Sequence, residues 1–172
     1  MKAIDPFELV IKPCEDWEHG WFLLTAGDFA SGKYNAMTVA WGGMGIMWGR
    51  PVVQVVVRPT RYTFGFMNEY DTFTLTAFPN QYKKALGLLG TKSGRDGDKI
   101  TASGLTVMAS QVVAAPTFAE AALSIECKKI YWQDMEPANF LDPRIEDAYD
   151  NGDYHRFYLG EMVYVAGSEA YC

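Results

Sequence analysis

The chain has 172 residues, of which 49% are hydrophobic and 21% charged, the make-up of one globular domain over residues 1–172 rather than of a disordered, collagen-like or coiled-coil chain. Fifteen Lys and Arg against 21 Asp and Glu leave a formal charge of -6, which argues against a nucleic-acid binder. No stretch approaches the roughly 20 apolar residues that span a bilayer, and the acidic first residues do not read as a secretory signal.

Short β-branched and aromatic runs broken by Gly and Pro predict a mainly β fold. Trp21–Ala26 and Tyr34–Trp41 flank a turn at Ser31-Gly32, as a hairpin does. Val52–Arg58 reads as a buried strand ended by Pro59, because proline donates no ladder hydrogen bond. Thr60 is placed to cap a helix reaching about Glu69. Thr72–Ala77 alternates Thr with apolar residues, a half-buried strand. Gln81–Leu89 predicts a second helix with Gly90 as its exit. A weak strand near Leu105–Met108 precedes two firmer ones, Leu123–Trp132 and Phe157–Ala166. Between those two, residues 134–153 hold seven acidic side chains and only Arg144 as a base, a solvated excursion with Asp142-Pro143 as a helix start and Asn151-Gly152 as the exit. Six strands with few helices make an antiparallel barrel the simplest architecture.

Charge is uneven along the chain. Residues 33–99 carry a net +5, so the remainder is -11, a distribution that suits a site for one small anion or an evenly solvated surface. Cys14, Cys127 and Cys172 cannot all pair and form no CxxC, the pattern of reduced thiols in a cytoplasmic protein. Gly27–Lys33 (GDFASGK) imitates a P-loop, but Tyr34 stands where Ser or Thr is needed and a strand follows, so it reads as a hairpin turn. Two histidines, His19 and His155, are too few for an imidazole-rich metal site, and no metal ligand set is expected. No nucleophile motif appears either, so hard chemistry here would belong to a cofactor.

Three segments could carry a site. Asn35–Gly43 (NAMTVAWGG) offers the Asn35 amide, the Thr38 hydroxyl, a ladder of backbone groups and the flat face of Trp41, a set that suits a planar heterocycle. The same residues also read as a barrel strand with Met37, Val39 and Trp41 turned inward. In Val55–Phe66 (VVVRPTRYTFGF), Arg58 at a strand end and Thr60, Arg61, Tyr62 and Thr63 at a helix start gather donors suited to a phosphate. Alternatively Thr60 caps its helix and both arginines face water. Lys92–Lys99 (KSGRDGDK) is a glycine-rich loop with bases on it.

Taken in order, NAMTVAWGG, VRPTRYTFG (57–65), SGRDGDK (93–99), SIECK (124–128) and HRFYLGEM (155–162) resemble the flavin reductase-like family of the FMN-binding split barrel, especially its flavoredoxin branch. The resemblance implies a six-stranded Greek-key split barrel that binds FMN and works as a homodimer. It places Asn35, Met37, Thr38, Val39, Ala40 and Trp41 along the isoalloxazine and ribityl chain, and Arg58, Tyr62, Thr63, Ser93 and Lys99 at the phosphate. His155 matches a histidine near which NADH or NADPH approaches in relatives. Those relatives usually read Gly-Asp-His, whereas here Tyr154 intervenes between Asp153 and His155, and the acidic stretch before it is longer than usual.

The expected activity is an NAD(P)H-dependent flavin reductase that passes hydride to FMN and on to an acceptor. A flavoredoxin-type electron carrier working between protein partners is the second reading, because an acidic surface steers a basic redox partner. A barrel that stores or senses a flavin is the third.

Overall fold

The structure is a computed structural model describing residues 1–172. In chain order its elements are β1 (Lys2–Ala3), α1 (Pro13–Glu15), β2 (Phe22–Asp28), β3 (Lys33–Val39), β4 (Gly42–Met47), β5 (Arg50–Val57), α2 (Tyr62–Glu69), β6 (Thr72–Ala77), α3 (Lys83–Thr91), α4 (Lys99–Ser103), β7 (Val107–Met108), β8 (Thr117–Phe118), β9 (Leu123–Asp134) and β10 (Arg156–Gly167). Seven strands form one antiparallel path in the order β3-β2-β6-β9-β10-β5-β4, with β1 added along β10. The six expected strands are all present. The seventh, β4, returns along β5 through a turn at Trp48 and Gly49, whose φ angles are 52° and 70°.

Closure follows from connectivity. The two ends of the path, β3 and β4, are separated in the chain only by Ala40 and Trp41. Three Cα steps reach about 11 Å at most, so the sheet must curl until its edges face each other. The edges share no ladder, and the barrel is closed by the chain rather than by hydrogen bonds. It is a split barrel, mainly β, with peripheral helices.

The interior is filled at period two. Phe22, Leu24 and Ala26 of β2 meet Phe73, Leu75 and Ala77 of β6, Leu123, Ile125 and Cys127 of β9, and Val53, Val55 and Val57 of β5. A second cluster outside the wall packs Leu23 and Ala36 against Leu86 and Leu89 of α3 and Ile100 of α4. That layer fixes α3 over β3 and so positions one wall of the site.

Residues 135–155 do not simply hang in solvent. Two 3-10 turns, Pro137–Asn139 and Pro143–Ala148, shape the segment, and Asp142 caps the second by accepting from the Arg144 N–H, as the sequence suggested. Tyr149 and His155 at its end are buried.

Candidate functional site

Four pieces of chain converge beside the split edge: β3 with its exit Ala40-Trp41, the segment from Arg58 to Thr63 that starts α2, the loop from Leu89 to Lys99, and His155. They enclose two adjoining cavities. One, of about 220 Å³, is walled by Met37 to Trp41, Val56, Arg58, Arg61 and His155. The other, of about 120 Å³, lies between Asn35, Met37, Thr60 to Thr63, Leu89 to Ser93, Arg95 and Lys99. Met37 and Arg61 belong to both.

β3 ends the sheet and pairs only with β2, so its other edge carries backbone donors and acceptors without ladder partners. The Asn35 amide donates to Thr63 Oγ1 at 2.7 Å, pinning the strand to the helix start. The Thr38 hydroxyl donates to the Leu86 carbonyl at 2.6 Å and thus holds α3. A Cβ on Gly94 would collide with Asn35 Oδ1 and stand 2.7 Å from the Tyr62 ring, so only glycine lets the loop seat against β3 and α2. Trp41 lies beyond the last strand residue and is 47% exposed, so the inward alternation of the strand stops at Val39.

The smaller cavity is basic. Arg61, Lys92, Arg95 and Lys99 line it and no carboxylate does. Arg95 donates to the Thr60 carbonyl at 3.1 Å and lies over the Tyr62 ring. Lys99 is only 6% exposed. Its Nζ donates to the carbonyls of Leu89 at 2.7 Å and Lys92 at 3.0 Å, and it has no acidic partner. Burial first, and then the charge of Arg61, lower its pKa to about 8. A buried ammonium facing further guanidinium groups is an environment that favours an anion.

Arg58 sits elsewhere than the sequence suggested. Its guanidinium borders the larger cavity and not the basic one. There it donates to Asp153 Oδ1 at 2.5 Å and to the Ala148 carbonyl at 2.7 Å, and stacks over the Tyr149 ring. Thr60 does not cap α2, whose N-cap is Arg61 without a side-chain bond; its hydroxyl donates to Asp153 Oδ2 at 3.2 Å. Arg58 therefore straps residues 148–153 to the end of β5, and Arg61 lines both cavities.

The strap also orients His155. The Tyr149 hydroxyl lies 2.8 Å from His155 Nδ1, and the imidazole stands 5.2 Å from the Trp41 ring. Burial first, then the Arg58 charge, push the His155 pKa down to about 4, so the ring is neutral at pH 7. Its pKa is lower folded than unfolded, so the unfolded chain binds the extra proton between about pH 6.5 and 4 and stability falls as pH falls through that window. The loss is on the order of 3 kcal/mol at most. The melting temperature of the wild type should therefore drop more steeply than that of His155→Gln between pH 7 and 4; parallel curves would mean a solvated ring.

All eleven candidate cofactor residues and His155 line one or other of the two cavities. Arg61, which the sequence places among the donors at the helix start, lines both cavities; Arg95 lies within the KSGRDGDK motif without a signal of its own, and Tyr149 carries none beyond being aromatic.

A family model described as "Flavin reductase like domain" matches residues 16–166. An uncharacterised protein of Archaeoglobus fulgidus is 24% identical over 139 residues, 81% of this chain and 68% of the relative. The solved flavoredoxin of Desulfovibrio vulgaris (Miyazaki F) is 25% identical, with 94% of this chain and 73% of that one covered at a TM-score of 0.68. The FMN-binding domain of a flavin reductase-like enzyme from Shewanella baltica is 18% identical, with 95% and 74% covered and a TM-score of 0.68.

Proposed function

The chain belongs to the flavin reductase-like family, whose domain model covers residues 16–166, and from that premise we propose that it is a redox protein holding FMN across the two cavities. The observation that carries this reading is the pairing of a buried, uncompensated Lys99 in a basic cavity with an adjoining space edged by the free side of β3. The solved Shewanella domain is described as FMN-binding.

Lys99, Arg61 and Arg95, with the free N–H groups at the start of α2, would hold the phosphate. The unpaired edge of β3 would bond the polar rim of the heterocycle from Met37 to Trp41. Bound flavin supplies hydride-accepting and one-electron chemistry that no side chain here provides. Trp41 and His155 would flank the ring in the larger cavity, and His155 presents a neutral imidazole whose Nδ1 is already taken by Tyr149. In this reading the hydride donor is NADH or NADPH and the final acceptor is free flavin or another small molecule.

A homodimer is part of the proposal. β4 is an edge strand without charged residues, and Ile46, Met47 and Trp48 of its hairpin are exposed, Trp48 at 65%. Such an edge is a liability unless another chain covers it. No helix is long and apolar enough to cross a membrane; we place the protein in the cytoplasm.

Its likeness to a flavoredoxin and the exposed acids of the segment between β9 and β10, Glu136, Glu146, Asp147 and Asp150, favour a second reading, an electron carrier for a basic protein partner. Anaerobic mixing with FMN and then NADH or NADPH separates the two. Bleaching of the flavin absorbance is the expected result. Flavin that binds but bleaches only with a reduced ferredoxin-like donor decides for the carrier.

A further inference from the structure

Tyr149 lines neither cavity, so it acts on the site only through His155. It is 5% exposed, with the Arg58 guanidinium 5.0 Å from its ring centre, Phe140 stacked at 6.0 Å and Tyr154 at 4.9 Å. Packed in this way, its hydroxyl is held at 2.8 Å from His155 Nδ1. The other ring nitrogen, Nε2, makes no hydrogen bond within the chain and is not sealed from the larger cavity that His155 lines.

The charged groups around the imidazole are Arg58 at the end of β5, Arg61 at the start of α2 and Asp153 on its own segment, and with burial they keep it neutral at pH 7. A neutral ring carries one proton, and the bond made by one nitrogen decides which nitrogen holds it. Two arrangements fit the distances. Tyr149 donates to Nδ1 and the proton is on Nε2, or Nδ1–H donates to Tyr149 while the hydroxyl turns to Met135 Sδ, 3.4 Å away. The first is favoured, because an imidazole nitrogen is a far better acceptor than a thioether. The Arg58 charge over the phenol ring adds to this by making the hydroxyl a better donor and a poorer acceptor.

The larger cavity itself has no carboxylate. Besides His155 and the Trp41 indole, its polar side chains are Thr38, Arg58 and Arg61, and the Thr38 hydroxyl is already given to Leu86. Its walls therefore select for acceptors. Resting on the flavin reading above, we propose that Tyr149 is a positioning residue: it fixes the imidazole with its proton on Nε2, so that the larger cavity presents a neutral N–H to an acceptor oxygen of the molecule that exchanges electrons with the flavin.

The test has two arms. The first is nitrogen NMR on flavin-free protein with isotope-labelled histidine, at pH 7. His155 Nε2 is expected to be the protonated nitrogen and Nδ1 a hydrogen-bonded acceptor. Tyr149→Phe keeps the ring beside Arg58 and removes the hydroxyl, so its Nδ1 signal should move toward that of an unbonded nitrogen. Tyr154→Phe is the control, since that hydroxyl bonds Glu146 instead, and both signals should stay as in the wild type. A proton on Nδ1 in the wild type, or no change in Tyr149→Phe, overturns the assignment whether or not flavin binds. The second arm measures FMN affinity and the anaerobic bleaching of bound FMN at saturating NADH or NADPH. Tyr149→Phe should leave FMN affinity within about twofold and slow the bleaching by about three- to tenfold, the scale of one lost neutral hydrogen bond, while Tyr154→Phe does neither. Nucleotide bleaching that is equal in Tyr149→Phe and the wild type, or absent from both, overturns the role in electron exchange. If the wild type binds no FMN, the flavin reading itself has failed, and the NMR arm alone judges the place of the proton.

Discussion

Replacing Lys99 by Met should weaken FMN binding by about 10- to 150-fold, the range expected for losing one charge-assisted hydrogen bond of about 1.5 to 3 kcal/mol, without lowering the melting temperature of the flavin-free protein. The two halves of this expectation have one cause. Lys99 is 6% exposed and its only partners are the carbonyls of Leu89 and Lys92, so the folded chain holds an ammonium ion that burial and Arg61 disfavour, with its pKa lowered to about 8. Relative to the unfolded value, that shift corresponds to a penalty on the order of 3 kcal/mol for the charged form. Met fills nearly the same volume with no charge, and its gain offsets two lost hydrogen bonds of about 1 kcal/mol each. A phosphate reverses the sign for the wild type, because it supplies the missing counter-charge.

The same group gives a pH signature. Above about pH 8 the free site loses its proton, so affinity for FMN should fall by up to tenfold per pH unit, while Lys99→Met stays flat over the same range. Fluorescence titration from pH 7 to 9.5 reads both. A wild-type affinity that does not change through pH 9 would place the phosphate away from Lys99.

The strands that build the barrel were legible because their signal is local. Thr72–Ala77 and Val52–Arg58 have the alternating or continuous β-branched patterns that a half-buried or fully buried strand needs, and both are strands. β4 was not legible. Its sequence, GGMGIM, has three glycines and little β propensity, and its turn puts Trp48 rather than Asn or Asp at a positive φ of 52°. The strand forms because β5 beside it offers an open ladder, a tertiary cause. Gly90 misled in another way. The helix continues to Thr91, and a Cβ at Gly90 would stand 3.1 Å from Thr38 Cβ; the glycine is there for close packing of α3 on β3, not for an exit.

The site divides on the same line. The residues of NAMTVAWGG and KSGRDGDK could be picked out because each motif gathers its donors within ten residues. Arg58 could not be assigned, since its partner Asp153 lies 95 residues away and nothing in either segment announces the other. A strand-end arginine reads the same whether it awaits a phosphate or already holds a strap. Only the fold decides, and it gives Arg58 to Asp153 while Arg61, three residues on, is left with no ion pair in the chain.

Glu126→Gln should destabilise the protein by about 2 to 3 kcal/mol, the cost of a hydrogen-bonded buried carboxylate losing an acceptor. Glu126 is on β9 and 1% exposed. Its Oε1 accepts from the Gln111 N–H at 2.7 Å, and its Oε2 from Val112 at 2.8 Å and Val113 at 3.3 Å. These donors belong to the connection before β8, which has no ladder of its own there and is otherwise tied to β6 by the Thr74 hydroxyl on the Pro116 carbonyl at 2.6 Å. Gln keeps the shape but turns an NH₂ toward at least one N–H, so a donor faces a donor. For a chain of this size, each kcal/mol moves the melting temperature by about 2 to 4 °C, which predicts a fall of about 4 to 12 °C. No residue from Gln111 to Val113 lines either cavity of the site, so flavin affinity measured well below the melting point should not change. Lys99→Met and Glu126→Gln thus make opposite pairs of results, affinity without stability and stability without affinity. A Gln variant that melts within 2 °C of the wild type would show that the connection is held by something other than this carboxylate.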